Sequence, residues 1–260
     1  MTRDIGNGDG VRGLFTLDGR TAVVTGASSG LGRRFARVLA DADAQVFAAA
    51  RRLDRLDELA ASHPGIHPVR CDVAVERDRV ALIEAAAART GRVDILVNNA
   101  GTDGPTQALD ESPKVFRDVL DVNLVAPFHL AALVAATAQP AGIAVVNVGS
   151  ILGLVSGAPL GGAGYSASKA GLAGLTRELA GQWGRRGVRV NTLVPGWFRT
   201  EMNEALFADE RSAAWVERNT MLRRAGGTAE LDGALLYLCS DASTYMTGQT
   251  MIVDGGWTAR

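Results

Sequence analysis

Short apolar runs recur along the chain, separated by longer stretches with helical spacing. The runs at 21–25 (TAVVT), 45–49 (QVFAA), 66–70 (IHPVR), 94–97 (DILV), 143–148 (IAVVNV), 188–194 (VRVNTLV) and 250–253 (TMIV) predict seven strands. Helical stretches begin near Gly30, Leu53, Glu76, Pro113, Tyr165 and Thr228, with Ser112 and Pro113 forming a first-turn start. Strands that alternate with helices run parallel, and right-handed crossovers then place helices on both faces of one sheet. The strand runs are almost wholly apolar rather than alternating, as a sheet covered on both faces requires. The pattern predicts a single α/β domain with a doubly wound parallel sheet over residues 17–260. Residues 1–16, mostly polar and Gly-rich, are expected to be a flexible extension. In such sheets ligands sit outside the carboxyl ends of the strands, so candidate chemistry is sought there.

Composition narrows the function classes. With 47% apolar residues, the 260-residue chain can bury a large core and is not disordered in bulk. Lys and Arg number 27 against 28 acids, and the net charge of −1 offers no basic excess for a nucleic acid. Cys71 and Cys239 lie far apart with no CxxC pair, and His63, His67 and His129 are scattered, so neither a disulfide framework nor a metal centre is expected. No signal-peptide core precedes the first strand, and no uninterrupted apolar run of about eighteen residues occurs. Neither secretion nor a membrane span is expected, and a reducing, cytoplasmic setting follows.

Directly after the first run stands Thr25-Gly26-Ala27-Ser28-Ser29-Gly30-Leu31-Gly32, leading into a helical stretch. Gly26, Gly30 and Gly32 allow a tight turn and close backbone approach, so the first amides of the helix can face a pyrophosphate. A turn that merely packs a helix is the plain alternative; the position between first strand and first helix favours the dinucleotide. The second strand ends in Ala48-Ala49-Ala50-Arg51-Arg52, which offers no carboxylate for a ribose 2′-hydroxyl, while Arg51 and Arg52 suit a 2′-phosphate. NADP(H) is thus favoured over NAD(H), unless the arginines are only a solvated pair at a helix start. Asp72, followed by Val73 after the third strand, either accepts from an adenine amino group or caps a turn.

Tyr165-Ser166-Ala167-Ser168-Lys169 puts a phenol and an ammonium on one helix face. A free phenol is a poor base at neutral pH, but a neighbouring cation favours the phenolate. Tyr165 can then exchange a proton with an alcohol or alkoxide while a hydride moves to or from a nicotinamide. A lone YxxxK occurs widely by chance. Here it is accompanied by Asn98-Asn99-Ala100-Gly101 after the fourth strand, Asn147-Val148-Gly149-Ser150 at the fifth, and Asn123 in the helical region between them. In this order TGASSGLG, NNAG, GS, YSASK and VPGWFRT resemble the motifs of the short-chain dehydrogenase/reductase family, over residues 17–257.

That resemblance implies a Rossmann fold and an NAD(P)-dependent oxidoreductase interconverting a secondary alcohol and a ketone. It implies that Ser150 binds the reacting oxygen, Tyr165 is the acid/base, Lys169 lowers its pKa and reaches the nicotinamide ribose, and Asn123 holds a relay water. It places cofactor contacts at Gly26, Ser28, Ser29, Gly30, Leu31 and Gly32, at Asn99, Ala100 and Gly101, and at Pro195, Gly196 and Thr200. Ser29 stands where NADP-binding members carry a basic residue, so Arg51 carries the NADP assignment. Taken singly, Ser150 as a turn former, Asn123 as a helix residue bonded to a carbonyl and Tyr165 as a core phenol stay open. A Ser/His/Asp hydrolase is disfavoured because no GxSxG elbow surrounds Ser150. A non-catalytic, cofactor-sensing regulator on the same fold is the competing class, and the intact Ser150, Tyr165 and Lys169 argue against it.

The partner is expected to be a small alcohol or ketone. Between Ser150 and Tyr165 lie Gly153, Gly157, Gly161, Gly162 and Gly164, so this wall of the pocket is expected to be mobile. The stretch carrying Trp197, Phe198, Met202, Leu206, Phe207, Trp215 and Met221 falls where the family has its substrate lid. It is apolar enough to enclose a hydrophobic or cyclic substrate, or it packs onto the body or a neighbouring subunit. Polyol or sugar substrates stay open, as do acyl carriers through Arg223 and Arg224. The helix after Lys169 carries small or apolar residues on several faces, Gly171, Ala173 and Gly174 beside Leu172, Leu175, Leu179 and Trp183, so one face is expected to be covered by a partner chain, and the family resemblance implies a homotetramer.

Overall fold

The protein is seen here as a computed structural model that describes residues 10–137, 142–158 and 161–260. Its strands are β1 (Thr21–Thr25), β2 (Gln45–Ala50), β3 (Ile66–Arg70), β4 (Ile95–Asn98), β5 (Ile143–Val148), β6 (Val188–Pro195) and β7 (Thr250–Val253). All neighbouring strands pair parallel, in the order β3-β2-β1-β4-β5-β6-β7. The helices are α1 (Gly10–Gly13), α2 (Gly30–Asp41), α3 (Leu53–Ala61), α4 (Glu76–Thr90), α5 (Pro113–Leu120), α6 (Ala126–Ala136), α7 (Ala163–Trp183), α8 (Glu204–Ala208), α9 (Glu210–Asn219) and α10 (Asp232–Cys239).

Successive residues of a strand point to opposite faces, and both faces are covered. Along β1, Ala22 and Val24 join one layer with Phe35, Leu39, Leu235 and Leu238, while Val23 joins the other with Phe47, Leu82, Leu130 and Leu179. This is why the strand runs lack alternation. Val24 is level with Ala48 and Val97, and Val97 with Val146, so the carboxyl ends of the central strands open onto one rim. The strand order reverses between β1 and β4, which makes that point the crevice for a ligand. Pro68 lies in β3, an edge strand, where its missing N–H disturbs one side of the ladder only.

Several boundaries differ from the sequence expectation for local reasons. Asp94 lies just before β4: its backbone still bonds Thr21 and Ala144 on either side, while its carboxylate takes the Thr21 N–H at 2.9 Å and pairs with Arg92 at 2.9 Å. The helix of Tyr165 already begins at Ala163, and the stretch from Thr228 opens as a 3-10 turn before α10. Ser112 caps α5 as expected, its hydroxyl accepting from Val115 N at 3.3 Å. The helical region after it is not uniform: a π turn, Asp121–Val125, separates α5 from α6. Pro127 has no N–H to give the carbonyl of Asn123, and the extra residue of the π turn absorbs that break in the ladder.

The continuous stretch Pro113–Ala136 is long and apolar enough for a membrane span by length and composition. Its apolar side chains are used inside the fold, with Leu130, Ala131, Val134 and Ala135 buried against the sheet. Residues 1–9 of the expected extension lie outside the described residues; from Gly10 the chain makes a helical turn, and the Leu14 carbonyl accepts the Ala242 N–H at 3.2 Å.

Beneath the rim runs a buried polar chain. Asn98 Nδ2 donates to Asn147 Oδ1 at 2.9 Å, Asn147 Nδ2 to Thr176 Oγ1 at 2.9 Å, and Thr176 shares a hydrogen bond with Thr192 at 2.8 Å. It ties β4, β5, α7 and β6 together without water. Thr176→Val keeps the shape and strands the Asn147 amide, so it is expected to destabilise by about 1–3 kcal/mol. A drop in the urea midpoint at unchanged slope is the expected reading, and an unchanged midpoint contradicts the chain's role.

Candidate active site

The loop after β1 and the loop after β4 are pressed together by side chain and backbone. Thr25 Oγ1 accepts the N–H groups of Asn99 and Ala100 at 3.1 and 3.0 Å, and Asn99 Nδ2 returns a bond to Thr25 O at 2.9 Å. Gly26 sits at φ +68°, where a Cβ would lie 2.8 Å from Asn99 Nδ2, and a Cβ on Gly32 would overlap the Gly26 carbonyl. No side chain fits either place, and the cradle left at the start of α2 suits a pyrophosphate. The groove has a volume of about 550 Å³ and runs from Arg51, Asp72 and Val73 at one end to Ser150, Tyr165 and Lys169 at the other. Ser28, Leu31, Ala100, Gly101, Pro195, Gly196 and Thr200 also line it, so the expected cofactor residues are brought together. The residues present fit a nicotinamide dinucleotide.

At the end of the groove beside Lys169, Ser150 follows β5, its hydroxyl accepts the Leu152 N–H at 3.2 Å, and it lines the same wall as Tyr165. Tyr165 lies above the usual phenol range: burial raises it most, the neighbouring Ser150 hydroxyl pulls it down, and the charge of Asp103 pushes it up. Lys169 Nζ is buried and donates to the Val148 carbonyl at 2.8 Å; it stands 5.6 Å from the centre of the Tyr165 ring. Burial lowers the ammonium to about 8. The expected lowering of the phenol by Lys169 is therefore not what dominates in this arrangement, because burial of the hydroxyl outweighs it. Asn123 is fully buried, its Oδ1 accepting from Thr102 N at 2.9 Å and its Nδ2 donating to Thr102 O at 2.8 Å and Ser168 Oγ at 3.0 Å. Its side chain thus holds the β4 loop to α7.

The comparisons with known proteins agree with this geometry. A family profile described as enoyl-(acyl carrier protein) reductase matches residues 26–258. The 2-dehydro-3-deoxy-D-gluconate 5-dehydrogenase of Escherichia coli K12 is 34% identical over 250 residues, covering 95% of this chain and 98% of that protein. Gluconate 5-dehydrogenase of Gluconobacter oxydans is 38% identical, covering 94% of this chain and 97% of that protein. A gluconate 5-dehydrogenase from Burkholderia cenocepacia, solved with NADP and tartrate, superposes with a TM-score of 0.89 at 33% identity, over 96% of this chain and 99% of that one. The chain belongs to the short-chain dehydrogenase/reductase family. It is an NAD(P)-dependent oxidoreductase acting on CH–OH groups.

Other family positions are placed less simply. Arg52, not Arg51, reaches the phosphate loop, donating to Ser28 Oγ at 3.2 Å and Ser29 Oγ at 2.8 Å, whereas Arg51 is exposed on the rim. Asp72 Oδ1 accepts the Ala74 N–H at 3.0 Å, the turn-capping role, while the residue also lines the groove. Thr200 packs 3.4 Å from the position of a Gly30 Cβ and caps the following turn with Asn203. The glycines of the 150–165 wall include close-packing positions: a Cβ on Gly153 would lie 2.6 Å from the Lys169 backbone, and one on Gly162 2.7 Å from Pro105 O. Pro159 and Leu160 of that wall, and the side chain of Met202 in the lid, lie outside what is described. Sequence reasoning gave no role to Thr25 and Ser168, although both lie inside the motifs TGASSGLG and YSASK, and it missed Thr102 and Glu201, which carry no spacing signal.

Burying Lys169 makes stability pH-dependent in a fixed sense. Its folded value of about 8 is below the unfolded reference of 10.5, so the penalty for the buried charge is fully present below pH 8. It is relieved as pH rises from about 8 toward 10.5, where the native state has released the proton first. The stability advantage of Lys169→Met over the parent is therefore expected to be larger at pH 7 than at pH 10, by an amount on the order of 3 kcal/mol, measured by urea unfolding. A difference that stays constant with pH contradicts a buried ammonium.

Proposed function

We propose that this chain interconverts a carbinol and a ketone of a small polyol or sugar acid, with NADP(H) favoured and Ser150, Tyr165 and Lys169 as the working groups. The observation that carries the reading is the meeting of Ser150, Tyr165 and the buried Lys169 at one end of the groove, with the Lys169 ammonium 5.6 Å from the Tyr165 ring. A bound nicotinamide supplies or accepts the hydride. The Ser150 hydroxyl then binds the substrate oxygen, and Tyr165 gives that oxygen a proton in reduction or takes one in oxidation. Lys169 spends one N–H on Val148 O, which leaves others for a ribose hydroxyl and for proton supply. Asn123 is assigned the relay water, and its side-chain amide, already bonded to Thr102 and Ser168, fixes the β4 loop beside Lys169.

Two observations favour a polar substrate. Trp197, Trp215 and Trp257 pack edge-on with centroids 5.0–6.2 Å apart, and Phe198 is buried in the core, so these lid aromatics are committed to the body. The relatives also act on polar alcohols: besides the gluconate enzymes, a galactitol 2-dehydrogenase of Cereibacter sphaeroides is 38% identical over 252 residues. The basic hint for an acyl carrier is spent, because Arg224 pairs with Glu230 at 2.6 Å and Arg223 donates to the Arg218 carbonyl at 2.8 Å. NADP, present in the Burkholderia structure, fits the arginine-rich rim without an acid at the end of β2.

The same reading extends to a cytoplasmic homotetramer. Val125 and Phe128 stand 45% exposed on the ridge formed by the π turn and α6, and Leu124 packs against Gly171 of α7, giving a joint apolar face that a second chain covers. Free, buried Cys71 and Cys239 suit a reducing compartment.

Tyr165→Phe is expected to lower turnover on a polyol and sugar-acid panel by about a hundredfold or more while NADPH binding is kept. Retained turnover rejects the phenol as acid/base, and a parent that binds NADPH yet turns over no alcohol or ketone supports the regulator instead. Sedimentation at micromolar protein is expected to give the mass of four chains, and monomers alone reject the assembly.

A further inference from the structure

The end of the groove far from Tyr165 holds five side chains that bind one another, Ser28, Ser29, Arg52, Arg55 and Glu201. Besides its bonds to Ser28 and Ser29, Arg52 grips the carboxylate of Glu201 with two nitrogens, at 3.1 Å to Oε1 and 3.2 Å to Oε2. Arg55 reaches the same two oxygens at 2.9 and 3.1 Å. Glu201 opens the helical turn that follows Thr200, so it belongs to the start of the lid; Ser28 and Ser29 belong to the phosphate loop, and Arg55 to α3. Ser28, Ser29, Arg51, Arg52 and Glu201 all line the groove. Hydrogen bonds from Arg52, then Ser29 and Arg55, hold the Glu201 carboxyl down at about 2, so it is an anion at any working pH.

A carboxylate seated on both prongs of a guanidinium uses the geometry that a phosphate would use. A 2′-phosphate arriving at Arg52 meets donors already taken and a fixed negative charge beside them. A 2′-hydroxyl meets neither conflict. We propose that Glu201 is a specificity-determining residue whose carboxylate competes with the 2′-phosphate of NADP(H) for Arg52, so that NADP(H) must displace it and NAD(H) need not. Arg55 gives the displaced carboxylate a second partner, so Glu201 shifts along the rim instead of losing every counter-charge. Because Glu201 starts the lid, the exchange also frees that end of the lid when the phosphorylated cofactor binds. The proposal rests on the reading of Arg52 as part of the 2′-phosphate site.

The test titrates NADPH and NADH, and the fragments 2′,5′-ADP and 5′-AMP, into the full chain as parent, Glu201→Gln and Arg52→Gln, followed by fluorescence or calorimetry. Glu201→Gln is expected to tighten NADPH and 2′,5′-ADP by about three- to tenfold at low ionic strength, with the gain shrinking in high salt. NADH and 5′-AMP are expected to hold their parental affinities, and Arg52→Gln to weaken the phosphorylated ligands selectively. If Arg52→Gln lowers the NADPH preference but Glu201→Gln does not raise it, competition is overturned while the 2′-phosphate reading stands. If Glu201→Gln tightens both cofactors equally, Glu201 is a lid tether without discrimination and the proposal is again overturned. If Arg52→Gln leaves the preference unchanged, the 2′-phosphate reading falls and takes the proposal with it.

Discussion

An ammonium group taken out of water at the end of β5 is tolerated only where the surrounding structure supplies acceptors and stays in register. For Lys169 the acceptor is the Val148 carbonyl, and reaching it requires α7 to lie close across the end of the strand. That approach explains Gly153, whose position against the Lys169 backbone leaves no room for a side chain. The interior nearby is polar and cross-linked: Asn123 fastens Thr102 and Ser168, and the Asn98–Asn147–Thr176–Thr192 chain continues the connection down to β6, with only the Asn98 Oδ1 end of that chain lacking a partner. Tyr165 inherits its place from this framework, since Ser168 Oγ in turn donates to the Tyr165 carbonyl at 2.6 Å.

What was legible in the sequence was what is local. The apolar strands announce themselves because both faces of the sheet are covered, and the phosphate loop because Gly26 needs a positive φ and Gly32 meets the Gly26 carbonyl one turn back, although the clash with Asn99 that also bars their side chains comes from the distant β4 loop. Tyr165 and Lys169 stand together by helical spacing alone, and Ser112 with Pro113 marks its helix by first-turn chemistry. The π turn was half legible: Pro127 signals a missing donor, but not whether the chain answers with a kink or an inserted residue. The pairing of Arg52 with Glu201 was not legible, because it depends on where the chain returns after β6, far away in sequence. The same holds for the lid aromatics, whose hydrophobicity reads alike whether they face a substrate or one another.

The two attachments of the segment between Trp197 and Met221 differ in kind. Toward its far end, Trp215 of α9 packs with Trp197 and Trp257, and the guanidinium of Arg260 lies 4.7 Å over the Trp257 ring. That contact is apolar and largely dry, so salt and cofactor charge leave it alone. At its near end, the side chains of Glu201, Arg52 and Arg55 are each about two-fifths exposed, at 43%, 42% and 39%. Ion pairs so open to water are screened by salt and exchange readily with another anion. The Glu201 end is therefore the attachment that salt or a competing anion can loosen, whereas the tryptophan cluster holds through burial and ring contacts that screening does not reach.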